Sequence, residues 1–135
     1  MSKVSVTQFV SRSAEKTWSL VGDPGKLAVW HPAIAQSPCS PDGKSRVCTL
    51  ADGGEVSEEI LHVDAARRSY TYRIVQSPLP LEGYVSTLSV EPADGGCRVT
   101  WTSEFEPAGI PAGELEGMIR GLYEAGLGAL EASLS

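Results

Sequence analysis

Several kinds of chemistry lack their raw material in this 135-residue sequence. Cysteine is scarce: Cys39, Cys48 and Cys97 are the only three. An odd number without a C-x-x-C spacing argues against both a disulfide framework and a zinc site, so the three read as small buried hydrophobes. Histidine is rarer still. His31 and His62 are the only two, and neither sits in a His/Asp/Glu cluster with ligand spacing, so no metal is expected. There is no G-x-S-x-G elbow and no Ser/His/Asp order to support acyl transfer. The Gly-Gly segments at 53–54 and 95–96 lie between strand patterns rather than before helices, which makes them hairpin turns and not phosphate loops. No cofactor is implied. Basic charge is thin, with 11 Lys+Arg against 17 Asp+Glu and a net charge of −6. The basic residues are scattered, whereas a nucleic-acid binder shows a basic face. No apolar run approaches the ~20 residues of a membrane span. The first residues lack the apolar core of a signal peptide, so a cytoplasmic protein without integral membrane segments is expected.

What is present is periodic. Residues 4–10 alternate as a strand. Ser13 precedes AEKTWSLV as an N-cap, with Glu15 in the first turn where it suits the helix dipole. Residues 26–30 form a second short helical piece, ended by Pro32. The middle is strand after strand: 45–50, 55–63, 68–75, 84–91 and 97–105, each rich in Val, Thr, Tyr, Ile or Trp and each bounded by turn residues. Residues 33–40 hold a further, Pro-weakened strand. Short turns between successive strands imply an antiparallel meander. One long helix follows Pro107, with Leu115, Met118, Ile119, Leu122, Gly126, Ala129 and Leu130 as its apolar stripe. The expected architecture is a single α+β domain over residues 1–135. It has a curved antiparallel sheet of about seven strands around a long C-terminal helix, and two short helices after the first strand. A curved sheet closed by one helix leaves space between them, and that space is a natural ligand cavity.

This layout and several strings resemble the START-like or SRPBCC superfamily with its helix-grip fold, and within it the polyketide cyclase/dehydrase and lipid-transport family. The strings are SAEKTWSLVGDPGKLAVWHP (13–32), DGGEVSEEILHVD (52–64), RRSYTYRIVQSPLPLEGYVSTLSVEP (67–92), CRVTWTSEFEP (97–107) and Tyr123-x-x-x-Leu127-x-x-Leu130. The likeness spans nearly the whole chain and is specific for fold rather than for activity. A more distant similarity is to plant abscisic-acid receptors. It places 49–55 and 76–84 at the gate and latch loops of the pocket mouth, Leu79 among them. The receptor's Ser-Gly-Leu-Pro-Ala gate and His-Arg latch pair are missing, and its carboxylate-binding lysine falls near Gln36, so abscisic acid itself is rejected as a ligand.

Alternation along the strands puts Tyr70, Tyr72 and Ile74, then Tyr84, Ser86, Leu88 and Val90, then Val99, Trp101, Ser103 and Phe105 on the concave face. Strand 55–63 is ambiguous, with Val56, Glu58, Ile60 and His62 on one side; the resemblance favours Glu58 and Ile60 inward. Met118, Leu122 and Gly126 are expected to project from the helix. The resemblance also brings Trp30 and His31 near the pocket, His31 either as a ligand contact or in a structural hydrogen bond. This lining suits a small apolar or polyketide-like molecule. Binding or transport is the first reading. A cyclase or dehydratase using Glu58 or Tyr84 as acid/base and a ligand-gated interaction protein are the others. Glu58 has two readings: an inward carboxyl with raised pKa, or a residue that points outward or pairs with an arginine such as Arg46 on the neighbouring strand. Gly113, Gly117 and Gly121 lie off the stripe. They fit either the close approach of a second chain or loop, as in a homodimer, or a loosely stable first half of the helix.

Overall fold

The computed structural model describes residues 1–134. Its elements run β1 (Ser2–Val10), α1 (Ala14–Val21), a 3₁₀ turn (Pro24–Lys26) leading into α2 (Leu27–Trp30), β2 (Ile34–Gln36), β3 (Ser45–Leu50), β4 (Glu55–Asp64), β5 (Ser69–Gln76), β6 (Leu81–Ala93), β7 (Gly96–Pro107) and α3 (Ala112–Ser133). All strands join one seven-stranded sheet in the order β1-β7-β6-β5-β4-β3-β2, with every pairing antiparallel. Only the β1–β7 pairing is non-local. It brings the first strand beside the last and leaves the two short helices and α3 to close the concave face. No helix among the described residues is long and apolar enough to cross a membrane.

Local chemistry accounts for the boundaries. Ser13 caps α1 by accepting from the Lys16 N–H at 3.1 Å, and Glu15 of its first turn reaches Arg68 of the β4–β5 turn at 2.7 Å. Asp23 caps the 3₁₀ turn through the Gly25 N–H at 3.0 Å. Gly96, where β7 starts, passes so close to the end of β1 that an added Cβ would enter the Val10 carbonyl. Only glycine lets the two backbones meet there.

Alternation holds on β5, β6 and β7: Tyr70 and Tyr72, then Tyr84, Ser86, Leu88 and Val90, then Val99, Trp101, Ser103 and Phe105 are all buried. The opposite face is polar and cross-braced, for example by Thr71–Thr87 at 2.9 Å and Arg73–Glu59 at 2.7 Å. On β4 the alternation breaks. Val56, Glu58 and Ile60 are buried, but the register slips between Ile60 and His62, and His62 turns out to solvent. The bulge breaks the alternation, and Leu61 and Val63 beside His62 are exposed as well.

The helix departs from the expected stripe. Its buried ridge is Leu115, Ile119, Tyr123, Gly126, Leu127 and Leu130. Met118 stands 46% exposed, so its expected place in the pocket is corrected. Met118 and Tyr123 are five positions apart, roughly 140° around the helix. Nearly every position from 115 to 130 outside the charged ones is apolar or glycine, so period alone leaves the facing direction loose. Apart from the helix's own backbone, no atom of the described residues lies within 4 Å of an added Cβ at Gly113, Gly117, Gly121 or Gly128. No loop among the described residues packs on that flank.

Candidate functional site

Between the sheet and the first half of α3 lies a cavity lined by Leu27, His31, Ile34, Cys48, Leu50, Val56, Glu58, Tyr72, Ile74, Leu79, Tyr84, Trp101, Ile119 and Leu122. Its volume is about 40 Å³. That is room for a few waters, so a larger occupant has to spread the mouth. Leu50 and Leu79 come from the two loops expected to form that mouth, and the loops touch: an added Cβ on Gly54 would stand 3.5 Å from Pro78 Cγ.

At the β3–β4 end stands a buried ion pair. Arg46 and Glu58 are directly opposite in the antiparallel register. Arg46 Nε and Nη2 both approach Glu58 Oε1, at 2.7 and 2.6 Å. Arg46 Nη1 donates to the Pro24 carbonyl at 2.9 Å and to Tyr70 Oη at 3.2 Å, while the guanidinium lies 4.8 Å from the Tyr72 ring centre. The Cys48 thiol donates to the same Oε1 at 3.3 Å. Glu58 therefore points inward and also pairs with Arg46. Burial pushes its carboxyl above the ordinary range, against the pull of Arg46 and of the Arg46 and Cys48 hydrogen bonds. Burial, reinforced by Glu58, pushes the Cys48 thiol up to about 12, which makes it inert as a nucleophile.

The β5–β7 wall carries a hydroxyl chain. Tyr72 Oη meets Tyr84 Oη at 3.2 Å, and Tyr84 Oη in turn meets Tyr123 Oη. Tyr123 Oη lies 3.3 Å from Ser86 Oγ, which donates to the Thr102 carbonyl at 2.9 Å. Trp101 Nε1 donates to Ser86 Oγ at 2.9 Å and to Tyr72 Oη at 3.2 Å, and the Trp101 and Tyr123 rings stack with centres 4.2 Å apart. Burial holds the Tyr72 and Tyr84 phenols well above their ordinary pKa. They stay neutral, which removes a phenolate base from the chemistry open to Tyr84.

His31 closes the base of the cavity. Its Nε2 lies 2.8 Å from the Leu122 carbonyl, and its Nδ1 accepts from the Ala33 N–H at 3.1 Å. A carbonyl only accepts, so Nε2 carries the proton and the ring is neutral. Burial lowers its pKa below 6.5, against the Leu122 hydrogen bond. The unfolded chain then takes up a proton first as pH falls below about 6.5. Stability is full above that pH and declines as pH falls toward the folded pKa. His31→Gln should flatten this decline. Urea unfolding of both proteins between pH 7.5 and 5 checks it, and parallel pH profiles would refute it.

Of the residues expected from sequence, Glu58, His31, Tyr72, Ile74, Leu79, Tyr84, Trp101 and Leu122 line the cavity. Tyr70, Ser86, Leu88, Ser103, Phe105 and Trp30 are buried behind it, and Gly126 lies under the His31 ring. Tyr123, Cys48 and Ile119 were missed as site residues. A helix stripe drawn one position later would have found Tyr123 and Ile119 together. Cys48 required the β3 alternation Arg46, Cys48, Leu50 to be taken as inward-facing. Among the described residues no group of three or more His, Cys, Asp or Glu side chains is placed to hold a metal ion.

Over residues 1–135 the sequence matches the family model described as polyketide cyclase / dehydrase and lipid transport. The chain belongs to that family. Its fold is shared by protein XoxI from Bacillus cereus, at 28% identity and a TM-score of 0.96, with 99% of this chain and 96% of that one covered. An uncharacterised Bacillus thuringiensis protein, 27% identical, superposes at 0.94 with 98% of each chain covered. A START superfamily protein from Mycobacterium smegmatis shares the fold at 18% identity and 0.82, covering 98% of this chain and 96% of that one. No curated protein matches the chain by sequence. For this family member, then, the helix-grip architecture expected from its strings is the one found.

Proposed function

We propose that this protein binds a small, largely apolar molecule in the cavity between the sheet and α3, as a carrier or receptor module. One observation carries the reading: an aromatic and aliphatic chamber with few polar groups opens between two loops at the place where the fold leaves space. Apolar lining supplies affinity by area, and sparse polar groups orient the occupant. The family description, polyketide cyclase / dehydrase and lipid transport, supports a polyketide-like molecule or a lipid as the ligand. A second reading, proton transfer on a polyketide-like substrate, is favoured by the inward carboxyl of Glu58 with its raised pKa. Unchanged turnover of a candidate substrate by Glu58→Gln would remove it.

Leu122→Trp tests the binding reading, because Leu122 is half-buried on the cavity wall and indole would fill the cavity. Binding of the neutral dye N-phenyl-1-naphthylamine, followed by fluorescence, should weaken about tenfold or more, a loss of about 1.4 kcal/mol. Equal binding by both proteins would put the site elsewhere.

A further inference from the structure

The hydroxyl chain has a direction, and the direction follows by elimination. A carbonyl cannot donate, so the single proton of Ser86 is committed to Thr102. The Tyr123–Ser86 contact must then be donated by Tyr123. With the Tyr123 proton used, Tyr84 donates to Tyr123, and Tyr72 donates to Tyr84. The Trp101 N–H is spent on Ser86 and Tyr72. The protons of Tyr72, Tyr84, Tyr123 and Ser86 thus all point along the chain toward Thr102. The two phenols that line the cavity, Tyr72 and Tyr84, show it only lone pairs.

The other polar groups agree. His31 spends its N–H on Leu122 and its lone pair on Ala33. The Cys48 thiol donates to Glu58. Glu58 takes both of its hydrogen bonds on Oε1, from Arg46 Nε and the Cys48 thiol, and Oε2 has none among the described residues. That oxygen is not fully enclosed, and Glu58 lines the chamber. Arg46, 0% exposed and not part of the lining, gives the chamber no donor. Its charge nonetheless balances Glu58.

We propose that the cavity is an acceptor-only site. It selects small neutral apolar molecules carrying one O–H or N–H donor, which bonds Glu58 Oε2 or the Tyr72 and Tyr84 oxygens, and it rejects carboxylates. The inference rests on the binding reading above and names the ligand's polar group. A carboxylate would bring lone pairs against lone pairs in a dry site. An ammonium would meet the free oxygen of Glu58 but add an uncompensated charge beside an ion pair already balanced.

A matched series tests it: 4-ethylphenol, 4-ethylanisole, 4-ethylbenzoate and 4-ethylbenzylamine, titrated at pH 7.5 against the wild-type chain. The Trp101 indole N–H resonance reports occupancy. The phenol should bind about tenfold or more tighter than the anisole, the energy of one good hydrogen bond. The benzoate and the ammonium should bind more weakly than the anisole. Glu58→Gln, checked first for native circular dichroism, leaves Arg46 without its anion and should bring in the benzoate while weakening the phenol. Tyr84→Phe should narrow the phenol–anisole gap and leave the anisole unchanged. Equal binding of phenol, anisole and benzoate would overturn donor selection while leaving the cavity reading intact. Benzoate binding tighter than phenol in the wild type would overturn it as well. No binding of any of the four would overturn the cavity reading and this one with it.

Discussion

Glu58→Ala should destabilise the fold by about 3–5 kcal/mol, because it strands a buried cation. Arg46 is 0% exposed, and among the described residues Glu58 is the only anion it contacts. A guanidinium cannot discharge at any accessible pH. The loss should therefore be nearly independent of pH. Arg46→Met makes the opposite error and should cost less, because the stranded group can neutralise itself. Glu58 already has its pKa raised by burial, and without Arg46 it rises further. The sign follows from linkage. A carboxyl whose folded pKa lies above its unfolded value favours the folded state below about 4.5, and that contribution is lost as pH rises through the folded pKa. Arg46→Met should therefore approach wild-type stability near pH 5 and fall behind toward pH 8. Arg46→Met combined with Glu58→Leu should recover most of the loss, since an apolar pair of similar size avoids both desolvation costs. Urea unfolding at pH 5 and pH 8 reads all four proteins. Equal pH profiles for the two single variants would show that the pair is not held as a buried charge couple.

Gly126→Ala should cost about 2–3 kcal/mol, although alanine is the better helix former. An added Cβ at Gly126 would stand 2.8 Å from His31 Nε2 and closer still to Cδ2. The ring cannot retreat without giving up its bonds to Leu122 and Ala33. Overpacking typically costs about 1–3 kcal/mol. The disturbed hydrogen bonds add about 1 each, and helix propensity returns up to about 1. The same substitution at Gly117 or Gly121, where a Cβ would meet nothing beyond the helix's own backbone, should instead stabilise by up to about 1 kcal/mol. Opposite signs along one helix separate close packing from propensity. In a His31→Ala background, Gly126→Ala should lose its penalty, and persistence of the full penalty there would remove His31 as the cause.

Much of this fold is legible in the order of its segments. Strand, two short helices, a run of strands and a long helix admit few antiparallel arrangements once each strand shows which side is apolar. The inward faces of β5, β6 and β7 follow from period two, because both faces of those strands are chemically distinct. β4 resists the same treatment. Leu61 and Val63 are 47% and 49% exposed, and a bulge at Ile60–His62 breaks the alternation without leaving a glycine or proline to mark it. The helix resists for another reason. Its apolar arc is so wide that Met118 and Tyr123 compete for the core, and only the ring of Trp101 stacked on Tyr123 decides between them.

By itself, the sequence of this protein determines which segments are strands and helices, the antiparallel meander, and the aromatic and hydroxyl character of the concave face. These depend on neighbours in the chain: periodicity, caps and turn residues. The tertiary structure decides what those groups do once they meet. Arg46 and Glu58 lie twelve positions apart, and Tyr84 and Tyr123 thirty-nine. The register that opposes one pair and the helix rotation that joins the other are properties of packing. The direction of the Tyr72, Tyr84, Tyr123 and Ser86 protons follows from that packing, as does the Glu58 oxygen it leaves unbonded.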